Sequence, residues 1–261
     1  MQHSGVRFTI LPAVDIADGR IVRSGSGADE GALDDPLLVA LAWQADGAEW
    51  IHLVDIDSAF GRGSNSDLLA SMVGKLDVAV ELAGGIRDEA SLDRALRAGS
   101  ERVVLSTAAL RDRSWCSRVI STHGERIAVG LDVRVDRIAD TEPAYRLAAR
   151  GAPGDEGDLW ATLDWLESAG ATRYVVTDVT RDASLSGPNV ELCRAVAGAI
   201  SSPVIASGGV SSVDDLVALA QSVSDGPTIE GAIEGAIEGA IVGAALHAGR
   251  FTLVEALGSV R

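Results

Sequence analysis

Glu81-Leu-Ala-Gly-Gly-Ile86 recurs 124 positions later as Ile205-Ala-Ser-Gly-Gly-Val210. The segments that precede them, His52–Asp57 and Tyr174–Val179, resemble each other at nearly the same offset. A repeat close to half the chain length indicates two copies of one supersecondary block. In a chain that alternates strand-like and helix-like patterns, two such copies predict a barrel made of two half-barrels.

Working outward from this repeat, eight short β-rich runs are separated by helical patterns. The predicted strands are Thr9–Val14, Trp50–Val54, Val78–Leu82, Arg102–Leu105, Ile127–Val133, Arg173–Thr177, Val204–Ser207 and Ala240–Val242. The amphipathic segments between them include Pro36–Asp46, Ser66–Lys75, Glu89–Ala98, Asp158–Ala169 and Val213–Ala220. We therefore predict an α/β fold, a (β/α)8 TIM barrel of two (βα)4 halves, with residues 1–261 as one domain.

Helix boundaries are marked by capping residues. Asp35-Pro36 and Ser212–Asp215 carry side chains that favour helix N-termini. Gly47, Gly99 and Gly170 fall where the preceding helices should end, because glycine adopts the left-handed conformation of a helix C-terminus.

Composition restricts the classes of partner. The chain of 261 residues has a net charge of −16, which argues against nucleic acid and anionic membranes as partners. Its two cysteines, Cys116 and Cys193, lie in predicted helices and predict no disulfide. The first residues lack a signal-peptide pattern, and no apolar run reaches transmembrane length. We expect a cytoplasmic monomer that acts on a small molecule.

Two stretches interrupt the strand–helix rhythm. Asp136–Gly157 is a long polar segment that we interpret as a loop after the fifth strand, on the side where such barrels carry their sites. Glu-Gly-Ala-Ile occurs three times in succession, starting at Glu230, Glu234 and Glu238. We interpret this run as an insertion before the last strand, tolerated rather than functional.

Glycine pairs end the third and seventh predicted strands, at Gly84-Gly85 and at Gly208-Gly209. Glycine at such a turn lets backbone N–H groups approach an anion, and a following helix N-terminus favours negative charge. The alternative is that these glycines only form tight turns. The predicted phosphate-binding residues, one set in each half, are Gly84, Gly85, Ser106 and Thr107, and Ser207, Gly208, Gly209 and Gly243. Two facing phosphate sites would suit an elongated substrate with a phosphate at each end.

Three carboxylates, Asp15, Asp132 and Asp178, stand at or just after predicted strand ends. Opposed carboxylates at the top of a barrel can divide acid and base catalysis between them. The alternative for any one of them is a capping or ion-pair role, as for Asp55 and Asp57. The four histidines are scattered, and no spacing predicts a metal site.

Together these segments resemble the phosphoribosyl isomerases of histidine biosynthesis, and among them the actinobacterial phosphoribosyl isomerase A family. The resemblance covers Leu11 to Arg261. The segments that carry it are Leu11–Ile16, Trp50–Asp57, Phe60–Asn65, Gly84–Arg87, Val129–Val133 and Ala206–Val210. It implies a half-barrel-repeat (β/α)8 enzyme that isomerises the bisphosphorylated intermediate ProFAR and also phosphoribosylanthranilate, without metal or cofactor.

Both reactions are Amadori rearrangements, in which an aminoaldose becomes an aminoketose. The resemblance implies that Asp15 is the base and that Asp132 or Asp178 is the acid. We expect Arg23, His52 and Arg150 to contact the substrate. A packed or hydrogen-bonded histidine is the alternative for His52.

The chain departs from the family pattern at several loops. Ala83 replaces the serine before the first glycine pair, and Ser106 stands where the family has glycine. Asp182-Ala-Ser184 and Gly243–Leu246 also differ, and the loop at Arg23–Gly27 looks shortened. Ala152 follows Arg150-Gly151 in place of an aromatic residue that should stack on ProFAR. Each lost contact should cost ~1–3 kcal/mol.

These departures predict a drift toward phosphoribosylanthranilate, which carries one phosphate, with ProFAR activity weakened. Three alternatives stay open. The chain could be an ordinary dual-substrate or histidine-only isomerase, a related barrel that closes the imidazole ring, or a decayed barrel retained for binding.

Overall fold

All eight predicted strands form, and they close into a parallel barrel. The computed structural model describes residues 8–22, 35–136, 143–148, 157–222 and 236–260. The strands are β1 (Thr9–Ala17), β2 (Arg20–Ile21), β3 (Trp50–Asp55), β4 (Ala79–Ala83), β5 (Arg102–Leu105), β6 (Ile127–Asp136), β7 (Ala144–Leu147), β8 (Tyr174–Asp178), β9 (Val204–Ser207) and β10 (Ile237–Val242). The helices are α1 (Pro36–Ala45), α2 (Ile56–Ala59), α3 (Ser66–Val73), α4 (Glu89–Arg97), α5 (Arg113–His123), α6 (Leu159–Ser168), α7 (Val190–Ala197), α8 (Val213–Gln221), α9 (Ala244–His247) and α10 (Leu253–Ser259).

The barrel strands follow one another in the order β1, β3, β4, β5, β6, β8, β9 and β10. The ring closes where β10 pairs in parallel with β1, with Thr9 opposite Gly239. The two remaining strands form antiparallel hairpins, β2 with β1 and β7 with β6. The first strand of each half therefore carries a hairpin, and the chain is an α/β protein with the predicted TIM barrel.

The same hairpins explain where strand boundaries differ from the predictions. The first strand continues past Val14 to Ala17, and the fifth continues past Val133 to Asp136, because β2 and β7 pair with these extensions. The last strand begins at Ile237, before the predicted Ala240. The third Glu-Gly-Ala-Ile copy therefore belongs to β10, whereas residues 230–235 of the run lie outside the described residues.

Side chains alternate between two cores along every barrel strand, as the two-residue period of β structure requires. Outward residues such as Ile10 and Val14 of β1 pack against the helices. Inward residues form a smaller cluster inside the barrel: Leu11, Ala13, Ala83, Val104, Ala128, Val175, Ile205 and Ile241. The phase of a residue along its strand therefore decides whether its side chain faces the barrel interior or the helices.

The predicted helix boundaries are confirmed. The Asp35 carboxylate accepts hydrogen bonds from the backbone at the start of α1, and Ser212 forms a capping box with Asp215 at the start of α8. Gly47, Gly99 and Gly170 have φ of +101°, +96° and +83° just after α1, α4 and α6.

Cys116 and Cys193 are buried in α5 and α7 as free thiols. Burial raises the pKa of each thiol to about 12, Asp112 adding to the effect at Cys116 and Asp178 at Cys193. In the described ranges, no helix is long and apolar enough to cross a bilayer.

Candidate active site

A cavity opens at the carboxyl ends of the barrel strands. It brings together most of the predicted site residues: Asp15, His52, Gly84, Ser106, Thr107, Asp132, Ser207, Gly208, Gly209 and Gly243. Two predicted residues, Gly85 and Asp178, do not line it. Arg23 and Arg150 lie outside the described residues, so their predicted substrate contacts remain predictions.

Asp15 and Asp132 face the cavity because both occupy inward positions near the ends of their strands. Asp15 follows Leu11 and Ala13 in the inward phase of β1, and Asp132 follows Ala128 in β6. β1 and β6 lie four strands apart in a ring of eight, so they stand on opposite sides of the barrel. The two carboxylates are half-buried there, one from each half of the chain.

The predicted catalytic role of Asp178 does not fit its position. It is only 3% exposed and follows Tyr174 and Val176 in the outward phase of β8. Its carboxylate accepts hydrogen bonds from the backbone and hydroxyl of Thr180 and, at 2.7 Å, from the Asn189 side chain. Asp178 therefore anchors the loop and the helix that follow β8, which is the capping alternative.

Asp55, the equivalent of Asp178 in the first half, serves in the same way. It follows Ile51 and Leu53 in the outward phase of β3. Its carboxylate accepts hydrogen bonds from the side chain of Asn65 at 2.9 Å and from the Asn65 backbone N–H at 2.7 Å. The repeated Asp and Asn thus form one structural device, used once in each half.

Asp182 is the carboxylate that the sequence reasoning missed. The carbonyl of Asp178 accepts hydrogen bonds from the backbone N–H groups of Arg181 and Asp182, and this turn brings Asp182 to the cavity wall. Thr177, which faces inward and pairs in register with Asp132, also lines the cavity. The signal that could have found Asp182 is the strand phase, which turns Asp178 toward the helices.

His52 lines the cavity at the end of a buried chain of polar contacts. Its Nδ1 lies 2.7 Å from Glu81 Oε1, and the other oxygen of Glu81 accepts a hydrogen bond from Arg102 Nε at 2.5 Å. The Arg102 guanidinium stacks on the Trp50 ring, 4.2 Å from its centre. Burial opposes ionisation of Glu81 most strongly, yet His52 and Arg102 together outweigh it and lower the pKa of this carboxyl. His52 is therefore hydrogen-bonded, as the alternative predicted, and it also lines the cavity, while its contact with the substrate stays a prediction.

Thr107 was predicted to bind phosphate, but its hydroxyl is engaged elsewhere. It donates to the carbonyl of Gly130 at 3.0 Å and accepts from the backbone N–H of Asp132 at 2.9 Å. The residue is 1% exposed. The Thr107 hydroxyl therefore supports the strand end that carries Asp132 rather than reaching toward a ligand.

The two glycine pairs share one backbone conformation. Gly84 and Gly85 have φ of +96° and +71°, and Gly208 and Gly209 have φ of +86° and +84°. A Cβ at Gly84 would stand 2.3 Å from the Asp55 carbonyl oxygen, and one at Gly209 would stand 2.3 Å from the Gly187 carbonyl oxygen. Only glycine fits these turns, whose neighbours belong to the loops anchored by Asp55 and Asp178.

His247 is a second cavity residue that the sequence reasoning left out. Its Nε2 lies 3.0 Å from the Ala13 carbonyl oxygen, and its ring packs 5.0 Å from that of Trp43. It is the last residue of α9, the helix that begins after Gly243. Among the described residues, no three His, Cys, Asp or Glu side chains are grouped as metal ligands would be.

Comparison with known proteins supplies the family. Residues 9–252 match the family described as histidine biosynthesis protein. The chain is 58% identical over 256 residues to a protein of Saccharopolyspora erythraea named 1-(5-phosphoribosyl)-5-((5-phosphoribosylamino)methylideneamino) imidazole-4-carboxamide isomerase, covering 97% of this chain and 99% of that one. It is 55% identical over 255 residues to phosphoribosyl isomerase A of Mycobacteroides abscessus, again over 97% and 99% of the two chains.

This chain, with its barrel and its two inward carboxylates, is therefore similar over nearly its full length to relatives that are named as isomerases. The chain therefore belongs to the histidine biosynthesis protein family, and within it to the isomerases of the phosphoribosyl isomerase A type.

Proposed function

We propose that this chain isomerises the bisphosphorylated aminoaldose named in its relatives, ProFAR, to the corresponding aminoketose. The observation that carries the proposal is the placement of inward carboxylates between two glycine-pair turns of equal conformation at one barrel mouth. Such turns suit the two phosphates of an elongated substrate, and the carboxylates suit acid and base steps at the sugar between them.

The strand order assigns roles to the three cavity carboxylates. The turn formed by Gly208 and Gly209 follows β9, the usual phosphate position of this architecture. Asp15 on β1 stands to one side of the β9–β10 pair, and Asp182 after β8 stands to the other. We assign Asp15 as the base and Asp182 as the acid for a ribose whose phosphate is bound there, with Asp132 assisting from β6, opposite Asp15 in the ring.

In this mechanism, the acid gives a proton to the furanose ring oxygen, and the C1′–O bond breaks as the glycosidic nitrogen forms a protonated imine. The base then removes the C2′ proton, and the electron pair of that bond neutralises the iminium to give an enolamine. Tautomerisation to the ketone at C2′ completes an isomerisation in which no atom is gained or lost. One carboxyl must start protonated and the other ionised.

Replacement of three aspartates tests the assignment. We expect Asp182→Asn and Asp15→Asn to lower kcat by about 10²–10⁴-fold, the usual contribution of a positioned acid or base. Asp178→Asn should instead lower the free energy of unfolding, with a smaller loss of kcat, because it weakens the hydrogen bond from Asn189. Steady-state kinetics and urea unfolding of the three variants are the measurements. A larger kcat loss in Asp178→Asn than in Asp182→Asn would contradict the assignment.

We propose phosphoribosylanthranilate as a second substrate. It needs one phosphate site, and the second-half set of Ser207, Gly208, Gly209 and Gly243 lines the cavity complete. Ala152 in place of the family's aromatic residue favours this substrate over ProFAR. Kinetics with both substrates check the preference: a ProFAR kcat/KM equal to or above that for phosphoribosylanthranilate would contradict it.

A decayed, non-catalytic barrel is the alternative from another class. Asp15→Asn separates the two, because an enzyme loses turnover while staying folded, whereas a scaffold has none to lose.

We also propose that the chain acts as a monomer in the cytoplasm. Sedimentation equilibrium of the purified chain checks the first of these proposals, and cell fractionation checks the second.

A further inference from the structure

The two phosphate-site candidates differ at two equivalent positions. Ser207 ends β9 in the inward phase and Ala83 ends β4 in the same phase. On the next strand, Gly243 follows β10 and Ser106 follows β5. Each half therefore has one serine beside its glycine pair, but the serine is on the neighbouring strand in the first half.

The Ser106 hydroxyl lies against the first-half turn. Its Oγ is 3.5 Å from the carbonyl oxygen of Ile86, the residue that follows Gly84-Gly85, and Ser106 lines the cavity. A contact of that length is at the limit of a hydrogen bond, so little energy is lost if the hydroxyl rotates to another acceptor. Thr107 next to it cannot take the same role, because its hydroxyl is held by Gly130 and Asp132.

The backbone of the first-half turn is intact as well. Gly84 and Gly85 repeat the left-handed conformation of Gly208 and Gly209, and a Cβ at Gly85 or at its equivalent Gly209 would stand only 2.5 or 2.3 Å from the nearest neighbouring atom. The substitution of Ala83 for serine thus removes a hydroxyl without altering the turn that presents the N–H groups.

We propose that the hydroxyl of Ser106 binds the phosphate monoester of the first-half site, in the role that Ser207 has in the second half. The proposal rests on the proposed function for the identity of the substrate. The departures at Ala83 and Ser106 were expected to weaken phosphate binding in the first half. In this proposal they instead move the phosphate-binding hydroxyl from the end of one strand to the end of the next. Ser106 is then a specificity residue, because only a substrate with two phosphates uses this site.

Removal of the hydroxyl tests the proposal. We expect Ser106→Ala to lower kcat/KM for ProFAR about 10-fold relative to that for phosphoribosylanthranilate, the effect of one net hydrogen bond to a charged group. Ser121→Ala is the matched control, because Ser121 lies on α5 of the same half with its hydroxyl bonded to Arg118 within the helix. Thermal unfolding of both variants excludes a general loss of structure.

Moving the hydroxyl back gives the sharper result. Ala83→Ser combined with Ser106→Ala moves the hydroxyl to the strand position that Ser207 has in the second half, and it should recover the substrate ratio to within about threefold of the unsubstituted chain. The mirrored variant, Ser207→Ala with Gly243→Ser, imposes the first-half pattern on the other turn. A Cβ at Gly243 would lie 3.4 Å from that of Ala13, at the short end of ordinary van der Waals contact.

The proposal is overturned if Ser106→Ala leaves the substrate ratio unchanged, or if Ser106→Gly raises ProFAR kcat/KM and so reveals Ser106 as an obstruction. Absence of turnover with either substrate would count against the proposed function instead. Calorimetric titration with inorganic phosphate then decides the inference separately. The unsubstituted chain should bind at two sites and Ser106→Ala should weaken one of them about 10-fold; two unchanged sites would refute the inference.

Discussion

At the scale of single residues, the face of the strand on which a side chain lies decides whether it lines the cavity or packs toward the helices. Asp132 and Asp178 stand near the ends of neighbouring strands, yet only Asp132 occupies an inward position. The register pairs Asp132 with Thr177, so the residue beside it in β8 is a threonine and the aspartate turns outward. A shift of one residue along a strand changes the face on which a side chain lies.

Thr107 gives a prediction at this scale. Thr107→Val removes the hydroxyl that bridges the Gly130 carbonyl and the Asp132 N–H, and leaves both backbone groups without this partner. We expect the free energy of unfolding to fall by about 1–3 kcal/mol and kcat to fall several-fold as the Asp132 strand end loosens. Thr107→Ser retains the hydroxyl and is the control. Equal behaviour of the two variants in urea unfolding and kinetics would contradict the role.

Ala183 has an unfavourable backbone conformation that the sequence does not reveal. It has φ of +55°, a conformation that disfavours any residue with a Cβ, in the loop that carries Asp182. Leu185 in the same loop also has positive φ, +53°, and both line the cavity. Ala183, in the Asp182-Ala183-Ser184 segment where the chain departs from the family pattern, therefore holds a backbone conformation that glycine would adopt without strain.

At the scale of elements, β3, β4 and β5 are joined by a charged network inside the barrel. Glu81 on β4 is fully buried between His52 on β3 and Arg102 on β5, which is 5% exposed. A buried carboxylate of this kind is tolerated because its partners offset the loss of hydration. The network also fixes His52, so that the same contacts support the strands and orient a cavity side chain.

The pH dependence of stability follows from this network. The pKa of Glu81 is lowered in the folded chain, so its stabilising contribution is present above the unfolded value near 4.5 and is lost as pH falls through the lower folded value. Glu81→Gln should cost about 3–5 kcal/mol near pH 7 by leaving Arg102 unpaired. The difference from the unsubstituted chain should shrink as pH falls below the unfolded value near 4.5.

Urea unfolding between pH 3 and 7, in steps of ~0.5 that resolve the transition, is the measurement. Glu101→Gln, an exposed carboxyl beside β5, is the control and should change stability little at any pH. A cost for Glu81→Gln that stays constant across the range would contradict the contribution of the ionised carboxyl.

At the scale of the whole molecule, barrel closure depends on the contact between β10 and β1. A Cβ at Gly239 would stand 2.3 Å from the carbonyl oxygen of Thr9, its partner across the closing pair. We expect Gly239→Ala to force the two strands apart and to lower the free energy of unfolding by about 2–3 kcal/mol or more. Gly258→Ala is the control, because nothing lies within 4 Å of a Cβ there.

Thermal and urea unfolding of these two glycine variants check the prediction. Helix α10 contains Gly258, so alanine there should be neutral or stabilising. If Gly239→Ala unfolds at the same urea concentration as the unsubstituted chain, the closing contact is not as tight as the structure has it. Gly239 also gives the third Glu-Gly-Ala-Ile copy a structural function that the interpretation of the run as an insertion did not include.

The amino acids alone determine the class of fold and the loops that carry the site. A half-length repeat, eight β-rich runs and glycine punctuation predict the barrel, because strand and helix periods and turn conformations are local properties. The same patterns correctly bring Asp15, Asp132 and both glycine pairs to one end of the barrel. Local patterns cannot say which way a side chain turns at the last residue of a strand.

The tertiary structure decides those orientations. It turns Asp178 toward the helices and brings Asp182 to the cavity, it commits the Thr107 hydroxyl to the strand that carries Asp132, and it sets Ser106 against the first glycine turn. The register between strands, the turn after β8 and the closure of β10 on β1 depend on contacts between residues far apart in the chain. Only the folded barrel brings those residues together, so their positions and orientations follow from its geometry.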